Sequence, residues 1–229
     1  MYQINSFAER SILEQQFVQQ VTDILTDAIA LRGKATLAVS GGSTPLKFFQ
    51  LLSKADIAWQ HVTISLADER WVDVHDDASN TRLVQQNLCQ NNAKQAQFFE
   101  LKIADQLTGD VLEQLNQAAV QQLLPFDVLI LGMGEDGHTA SLFPCSEQLE
   151  QGLTTTDALL KVQPTTAPHQ RISFSLSALL HSKHIFLHVY GQSKKQVLEQ
   201  AIAGTDATAM PIRAFLHDQQ TTVTVLWTE

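Results

Sequence analysis

The feature that most constrains the fold is an alternation, along the chain, of short apolar runs typical of β-strands with longer segments of helical periodicity. The run FDVLILG at residues 126–132 is almost entirely apolar, as in a strand that is covered on both faces. TLAVS, VTISLAD, ISFSL, HIFLHVYG and TVTVLW are further runs of strand type. Strands that alternate with helices form a mostly parallel sheet with helices on both faces. We therefore predict a single α/β domain of Rossmann-like architecture over residues 1–229.

The segments between these strands carry helical patterns. Apolar residues spaced by three and four, from Leu13 through Phe17 and Val21 to Ala28, predict an amphipathic helix that ends near Gly33. Further helices are predicted at PLKFFQLLSK, at SNTRLVQQNL with Ser79 or Asn80 as the cap, at residues 106–123 and at 193–203. A short strand is predicted at FFELKI.

Composition and charge limit the classes of partner. The 229 residues include 44% hydrophobic and 17% charged residues, which is ordinary for a globular domain, and no repeat or linker divides them. The net charge of -9 disfavours binding to nucleic acid or to anionic membranes, because both require a basic surface. An anionic ligand would therefore need a locally basic site within an acidic protein.

The cysteines and the N-terminal residues indicate the cellular compartment of the protein. Two isolated cysteines, Cys89 and Cys145, are more typical of a reducing compartment than of a disulfide framework. The first residues have no signal-peptide pattern, and no apolar run approaches membrane-spanning length. We expect a cytoplasmic protein that is either a monomer or a dimer.

Three unusual segments follow predicted strands: SGGSTP, DER and GMGEDGH. In parallel sheets, ligands bind beyond the carboxyl ends of the strands, where the connecting loops gather. The sequence pattern alone therefore predicts that these three segments form one site.

The segment SGGSTP at residues 40–45 suits an anion. Gly41 and Gly42 let the backbone turn tightly and approach a ligand. Thr44 is a candidate N-cap and Pro45 a candidate first helical residue, which would leave free N–H groups to receive a phosphate. The alternative is a capped β-to-α turn without a ligand. The spacing of a Walker A loop is absent.

The segment from Gly132 to Gly137 matches G-x-G-x-x-G after a strand, which is the pattern of a dinucleotide-binding site. His138 and Pro144 follow too closely for the long helix of that fingerprint. Asp157, although about 20 residues further on, precedes a possible strand, whereas a ribose-binding acid should follow one. We therefore expect no nucleotide cofactor.

His138 follows the glycine turn, beside Glu135 and Asp136, and a neutral imidazole there can take a proton from water near pH 7. A lone histidine is more often structural. The segment DER is, by itself, typical of a solvated turn with local ion pairs. Lys194 lies at a strand-to-helix turn, where it is either a phosphate ligand or a solvated surface residue.

Two other kinds of site are disfavoured. His184 and His188 share a strand face but are roughly 13 Å apart, too far to bridge one metal ion. No H-E-x-x-H motif or cysteine cluster occurs, so we expect no metal. The G-x-S-x-G motif of nucleophilic serine hydrolases is also absent.

Taken together, these residues resemble the 6-phosphogluconolactonase family, within the broader group of glucosamine-6-phosphate deaminases and isomerases. The matching stretches, in the family's order over residues 35–205, are LAVSGGSTP, ADERWV followed by SN, FDVLILGMGEDGHTASLFP, RISFSLSALL and GQSKKQVLEQAI. The chain departs from the family's pattern at Glu135, where many relatives have proline, and in the loop VDVHDDASN.

The resemblance implies the deaminase/isomerase-type fold, a sugar-phosphate lactone as substrate and no cofactor. The implied reaction is hydrolysis of 6-phosphogluconolactone in the oxidative pentose phosphate pathway. His138 matches the family's catalytic histidine and Asp68 its partnering acid. The matching substrate positions are the phosphate loop Gly41, Gly42, Ser43 and Thr44, and the basic residues Arg70, Arg171 and Lys194. Because Arg171 begins its strand, it reaches the site only if that strand runs antiparallel or the preceding loop folds back.

Two rival functions stay open. An amino-sugar phosphate deaminase or isomerase needs an extra carboxylate shortly after the G-H-x-A stretch, and here no acid occurs before Glu147. A non-catalytic sugar-phosphate sensor needs an output module, and no helix-turn-helix or basic region is evident. Both features favour hydrolysis.

Overall fold

The computed structural model describes residues 1–229, and its main sheet contains seven parallel strands. The strands of this sheet are β1 (Tyr2–Phe7), β2 (Ala35–Val39), β3 (Val62–Leu66), β5 (Gln97–Phe98), β6 (Val128–Leu131), β9 (His184–Tyr190) and β10 (Val223–Thr228). Their spatial order is β1-β10-β9-β6-β2-β3-β5. Every residue of β2 and β6 is buried, which confirms that helices cover both faces of the sheet centre.

The strand order reverses between β2 and β6. From β2 the chain proceeds outward through β3 to β5, then returns to the other side of β2 to form β6 and proceeds outward through β9 to β10. Open α/β sheets bind ligands at such a reversal, because the loops after the two central strands diverge and leave a crevice. The loops after β2 and β6 are SGGSTP and GMGEDGH.

A second sheet of three antiparallel strands lies beside the first. Its strands are β4 (Asp68–Arg70), β7 (Leu159–Val162) and β8 (Arg171–Phe174), in the order β4-β8-β7. The prediction that Asp68 ends the second strand of the main sheet is wrong. Strand β3 ends at Leu66. After Ala67, the three residues Asp68–Arg70 pair with β8 instead.

Eight α-helices connect the strands. They are α1 (Arg10–Arg32), α2 (Leu46–Leu52), α3 (Asn80–Asn87), α4 (Gly109–Gln122), α5 (Leu149–Thr154), α6 (Leu176–Leu180), α7 (Gly191–Ala203) and α8 (Ile212–Leu216). Helix α1 packs against α2, whereas α7 packs against α8 and against strands β9 and β10. None of these helices combines the length and the apolar character that a bilayer crossing requires.

The predicted first helix is confirmed, and its apolar stripe forms part of the core. Leu13, Phe17 and Val21 are buried, and Gly33 ends the helix in the left-handed conformation at φ 75°. Phe17 stacks on Phe48 of α2 with 4.2 Å between ring centroids, and it lies 5.1 Å from Phe186 of β9. Helix α1 is thereby fixed across the sheet beneath the loop that follows β2.

Several elements differ from the sequence predictions, among them β1, β5 and α4. Strand β1 was not predicted, because it pairs on one side only and most of its polar side chains stay exposed. The strand predicted at FFELKI, residues 98–103, is mostly wrong, because β5 is Gln97–Phe98 and the chain leaves the sheet edge after these two residues. Helix α4 begins at Gly109 rather than at residue 106. Thr108 is its N-cap, because the Thr108 side chain accepts a hydrogen bond from the Val111 N–H.

Candidate functional site

A cleft of about 310 Å³ opens at the carboxyl ends of the central strands. The structure places every site residue predicted from the sequence in its lining: Gly41, Gly42, Ser43, Thr44, Asp68, Arg70, His138, Arg171 and Lys194. Most of the lining is polar, which suits a small ligand rich in hydroxyl and phosphate groups. The cleft also meets the requirement for local basicity in an acidic chain, because it presents three cations and one carboxylate.

The turn after β2 presents unpaired backbone N–H groups. None of the N–H groups of residues 41–44 donates a hydrogen bond within the protein. Gly42 has a φ of 98°, which favours glycine, and a Cβ on Gly41 would lie 2.0 Å from Oδ1 of Asn80. Successive free N–H groups of this kind form an anion-binding concavity. The predicted cap is wrong, because α2 begins at Leu46 and Thr44 makes no capping hydrogen bond.

Strand pairing brings two arginines together at the cleft. Strands β4 and β8 are antiparallel, and Arg70 lies directly opposite Arg171. The strand that begins at Arg171 therefore runs antiparallel, which is one of the two conditions under which Arg171 can reach the site. Like charges opposite each other on one face of a sheet repel, so a bound anion would stabilise this pair. The Nε atoms of both guanidinium groups are buried without a hydrogen-bond partner.

The Asp68 carboxylate contacts Arg171 and Ser141 rather than the imidazole. It is buried, its Oδ2 accepts a hydrogen bond of 2.6 Å from Ser141 Oγ, and it lies 3.7 Å from Nη1 of Arg171. Burial lowers the pKa of Arg171, and the charge of Asp68 offsets part of this effect. No hydrogen bond joins Asp68 to His138 in the structure.

Glu69 faces away from the cleft and anchors α3. Its carboxylate accepts hydrogen bonds from the N–H groups of Asn80 at 2.8 Å and Thr81 at 2.7 Å, and from Ser79 Oγ at 3.3 Å. The interpretation of the DER segment as a solvated turn is therefore wrong, because Asp68 and Glu69 are both buried. Alternation along β4 sends one acid to the cleft and the next to the helix N-terminus.

His138 is held by its neighbours within the glycine turn. Its Nδ1 lies 2.5 Å from Oδ1 of Asp136, which also accepts the His138 backbone N–H. The ring stacks on Phe143 at 4.1 Å. Gly134 leaves the space for this arrangement, because a Cβ there would lie 2.1 Å from Nδ1.

The contact with Asp136 orients the imidazole. Burial raises the pKa of Asp136, but the charge of His138 and its two hydrogen bonds outweigh burial, and the pKa lies below its ordinary value. An ionised Asp136 favours the tautomer in which Nδ1 carries the proton. In that tautomer, Nε2 has a lone pair that can accept a proton.

Lys194 lies in the first turns of α7, and its side chain reaches the cleft. Its Nζ is 2.9 Å from Oε1 of Glu135, in the same glycine turn as His138. The lysine side chain is 24% exposed and that of the glutamate 66%. The ion pair was not predicted, since the two residues are 59 positions apart in the sequence.

Sequence reasoning missed two other residues at the site. Asn80 lines the cleft and donates a hydrogen bond of 2.9 Å from Nδ2 to the Asp68 carbonyl. Ser141 orients Asp68. Both lie in stretches that carry the family resemblance, SN and GHTAS, so the motifs contained them without indicating their contacts.

His188, which the sequence disfavoured as a metal ligand, forms part of the cleft wall. Its Nε2 lies 2.5 Å from the Tyr190 hydroxyl, which also hydrogen bonds to the buried Glu14. Burial lowers the pKa of His188 to about 3, with a further contribution from the charge of Arg10. Arg10 in turn donates a hydrogen bond to the Thr44 carbonyl. This chain of polar groups is buried at His188 and Glu14 and exposed at Arg10, and it connects α1 to the turn that holds the free N–H groups.

Comparison with known proteins gives a consistent result. Residues 8–227 match the family model described as glucosamine-6-phosphate isomerases/6-phosphogluconolactonase. The chain is 42% identical over 218 residues to a 6-phosphogluconolactonase of Pseudomonas putida, which covers 94% of this chain and 89% of that one. It is 40% identical over 224 residues to the enzyme of that name from Rhizobium meliloti strain 1021, with 96% of each covered.

A solved structure supports the same relationship. The crystal structure of a 6-phosphogluconolactonase from Shewanella baltica OS155 superposes with a TM-score of 0.97 at 48% identity. The match covers 100% of this chain and 98% of the other.

Proposed function

Because the chain belongs to the glucosamine-6-phosphate isomerase/6-phosphogluconolactonase family, we propose that it hydrolyses 6-phosphogluconolactone to 6-phosphogluconate, with His138 activating the water. The observation that carries this proposal is that the free N–H groups of residues 41–44 and the imidazole of His138 line one cleft. An anion-holding turn and a base in one cleft suit a phosphorylated sugar that carries a reactive carbonyl. The reaction belongs to the oxidative pentose phosphate pathway and needs no cofactor.

The phosphate docks on the turn after β2. The N–H groups of Gly41, Gly42, Ser43 and Thr44 donate to its oxygens, and Lys194 supplies a positive charge. The hydroxyls of Ser43 and Thr44 can add side-chain donors. Backbone N–H groups hold an anion at low conformational cost because they are already in place.

His138 acts as the general base. Asp136 holds Nδ1–H, so Nε2 removes a proton from a water molecule as its oxygen attacks the lactone carbonyl carbon. The tetrahedral intermediate then collapses, the bond from that carbon to the ring oxygen breaks, and the proton passes from Nε2 to the ring oxygen. This second transfer returns the imidazole to its neutral form. The products are a free hydroxyl and a carboxylic acid, which releases its proton to solvent.

Arg70 and Arg171 stabilise the negative charge that develops on the carbonyl oxygen. They lie side by side across β4 and β8, and donors fixed before the reaction commonly contribute a few kcal/mol to transition-state stabilisation. Asp68 positions Arg171 through the ion pair at 3.7 Å. This role differs from the one implied by the resemblance, in which Asp68 partners the histidine.

The rival deaminase or isomerase activity lacks support in the cleft. Ring opening of an amino sugar requires an acid positioned at the substrate, and Asp68 is the one carboxylate of the lining. That carboxylate is engaged by Ser141 and Arg171. The geometry therefore favours lactone hydrolysis over proton transfer on an open-chain sugar.

A coupled assay on freshly prepared 6-phosphogluconolactone, corrected for spontaneous ring opening, tests the proposal. We expect saturable turnover of the lactone and no ammonia from glucosamine 6-phosphate. Ammonia release would assign the chain to the deaminases. Saturable binding of 6-phosphogluconate without turnover of either compound would support the sensor function.

A further inference from the structure

One cation of the cleft is paired with an acid outside its lining. Lys194 lines the cleft, whereas its partner Glu135 does not. The two side chains meet at 2.9 Å, and the carboxylate is 66% exposed. In the ligand-free protein, the lysine charge that the phosphate requires is therefore already neutralised by a carboxylate at the rim.

The other two cations are held differently. Arg70 donates to the carbonyl of Ala78 at 2.6 Å, which is a neutral partner. Arg171 pairs with Asp68, whose side chain is only 7% exposed and is also held by Ser141. Glu135 makes no hydrogen bond or ion pair other than that with Lys194. Its carboxylate can therefore turn into solvent when a stronger anion arrives.

From this contrast we infer that Glu135 sets the affinity of the phosphate site by competing with the substrate for Lys194. The inference rests on the function proposed above, in which Lys194 binds the phosphate. A dianionic phosphate with three acceptor oxygens displaces a single exposed carboxylate, since charge-assisted hydrogen bonds strengthen with the charge of the acceptor. Every ligand that needs Lys194 loses the free energy of the Lys194–Glu135 pair on binding.

The competition by Glu135 weakens binding of the product as well as of the substrate. 6-Phosphogluconate carries the same phosphate, so the competing carboxylate weakens its binding and favours its release. Sugars without a phosphate do not need Lys194 and are unaffected. Glu135 also lies next to Asp136, so that one short turn holds Lys194 by one carboxylate and His138 by the next.

The test is the dissociation constant of 6-phosphogluconate, measured by isothermal titration calorimetry on Glu135→Gln. Exposed ion pairs have energies that correspond to about a two- to five-fold change in affinity, so we expect binding to tighten by that factor. The gain should shrink at high salt, which screens the pair in the unmodified enzyme. Glu199→Gln is the matched control, because it removes the same charge from an exposed position on the same helix as Lys194.

A double-mutant cycle shows whether Glu135 acts through Lys194. In a Lys194→Met background, Glu135→Gln should leave the dissociation constant unchanged. An equal gain in that background, or in Glu199→Gln, would mean that net charge rather than the pair is responsible and would overturn the inference. Unchanged or weaker binding in the single variant would do the same. Because the readout is binding, failure of lactone turnover would overturn the proposed reaction without affecting this result.

Discussion

Gly134 lies beneath the imidazole of His138, where a methyl group has no room. A Cβ at this position would lie 2.1 Å from Nδ1 of His138 and 2.6 Å from Oδ1 of Asp136. The position of the proposed base is therefore set by a glycine four residues earlier in the chain. The same turn shows the limit of sequence reasoning at the scale of single residues. Glu135 and Asp136 are adjacent acids, and only the path of the backbone decides that one contacts Lys194 and the other His138.

Gly134→Ala should lower kcat on 6-phosphogluconolactone by about 100-fold, because misplacing a catalytic group by about 1 Å costs a factor of that order. The expected cause is displacement of His138 from Asp136. Gly109→Ala is the control, since a Cβ there meets no atom within 4 Å. Turnover by Gly134→Ala equal to that of the control would contradict the role assigned to the turn.

At the scale of elements, β4 organises both the cleft and its surroundings. Its three residues place Asp68 and Arg70 on the side of the cleft and Glu69 toward the N-terminus of α3. Helix α3 in turn carries Asn80, which packs against Gly41. One short strand, β4, thus supports the arginine pair directly and the anion-holding turn through α3. The sequence could not reveal this strand, because three residues of Asp, Glu and Arg have low strand propensity and depend on pairing with β8.

Glu69→Ala tests this organisation. The substitution leaves the N–H groups of Asn80 and Thr81 buried without an acceptor, and we expect a loss of about 3 kcal/mol in the free energy of unfolding. Urea denaturation followed by circular dichroism measures the loss. Glu199→Ala, at an exposed position of α7, should have little effect. Equal stabilities of the two variants would show that Glu69 does not anchor α3.

At the scale of the whole molecule, the reversal of strand order between β2 and β6 creates the cleft. The alternation of strands and helices was sufficient to predict the parallel sheet and the end of the sheet at which the site lies. The edge strand β1 and the second sheet were not predicted, because their stability comes from partners far away in the sequence. β1 pairs with β10, more than 200 residues later. All nine predicted site residues nevertheless line one cleft, because they follow strands of the predicted sheet or pair beside it.

The polar chain that joins His188 through Tyr190 to Glu14 links stability to pH. Because burial and Arg10 lower the pKa of His188 to about 3, the folded protein keeps this group neutral while the unfolded chain takes up a proton near pH 6.5. The unfolded state therefore binds more protons between these values, and stability falls as the pH falls from 6.5 toward 3. One such group contributes at most about 1.4 kcal/mol per pH unit.

Replacing the titrating group should flatten this dependence. We expect His188→Gln to lose less stability than the unmodified protein between pH 6.5 and 5, as measured by urea denaturation at each pH. Burial also raises the pKa of the neighbouring Glu14, which acts in the opposite direction, but this group is present in both proteins. Parallel stability curves for the two proteins would contradict the assignment of a buried, neutral His188.

The central claim is that His138 activates water on a substrate whose phosphate is held separately, at residues 41–44. The most direct test compares His138→Ala with the unmodified enzyme in two measurements, namely corrected lactone turnover and calorimetric binding of 6-phosphogluconate. We predict that turnover falls by about 10²–10⁴-fold, the usual contribution of a general base, while 6-phosphogluconate still binds. Near-normal turnover in His138→Ala would contradict the account.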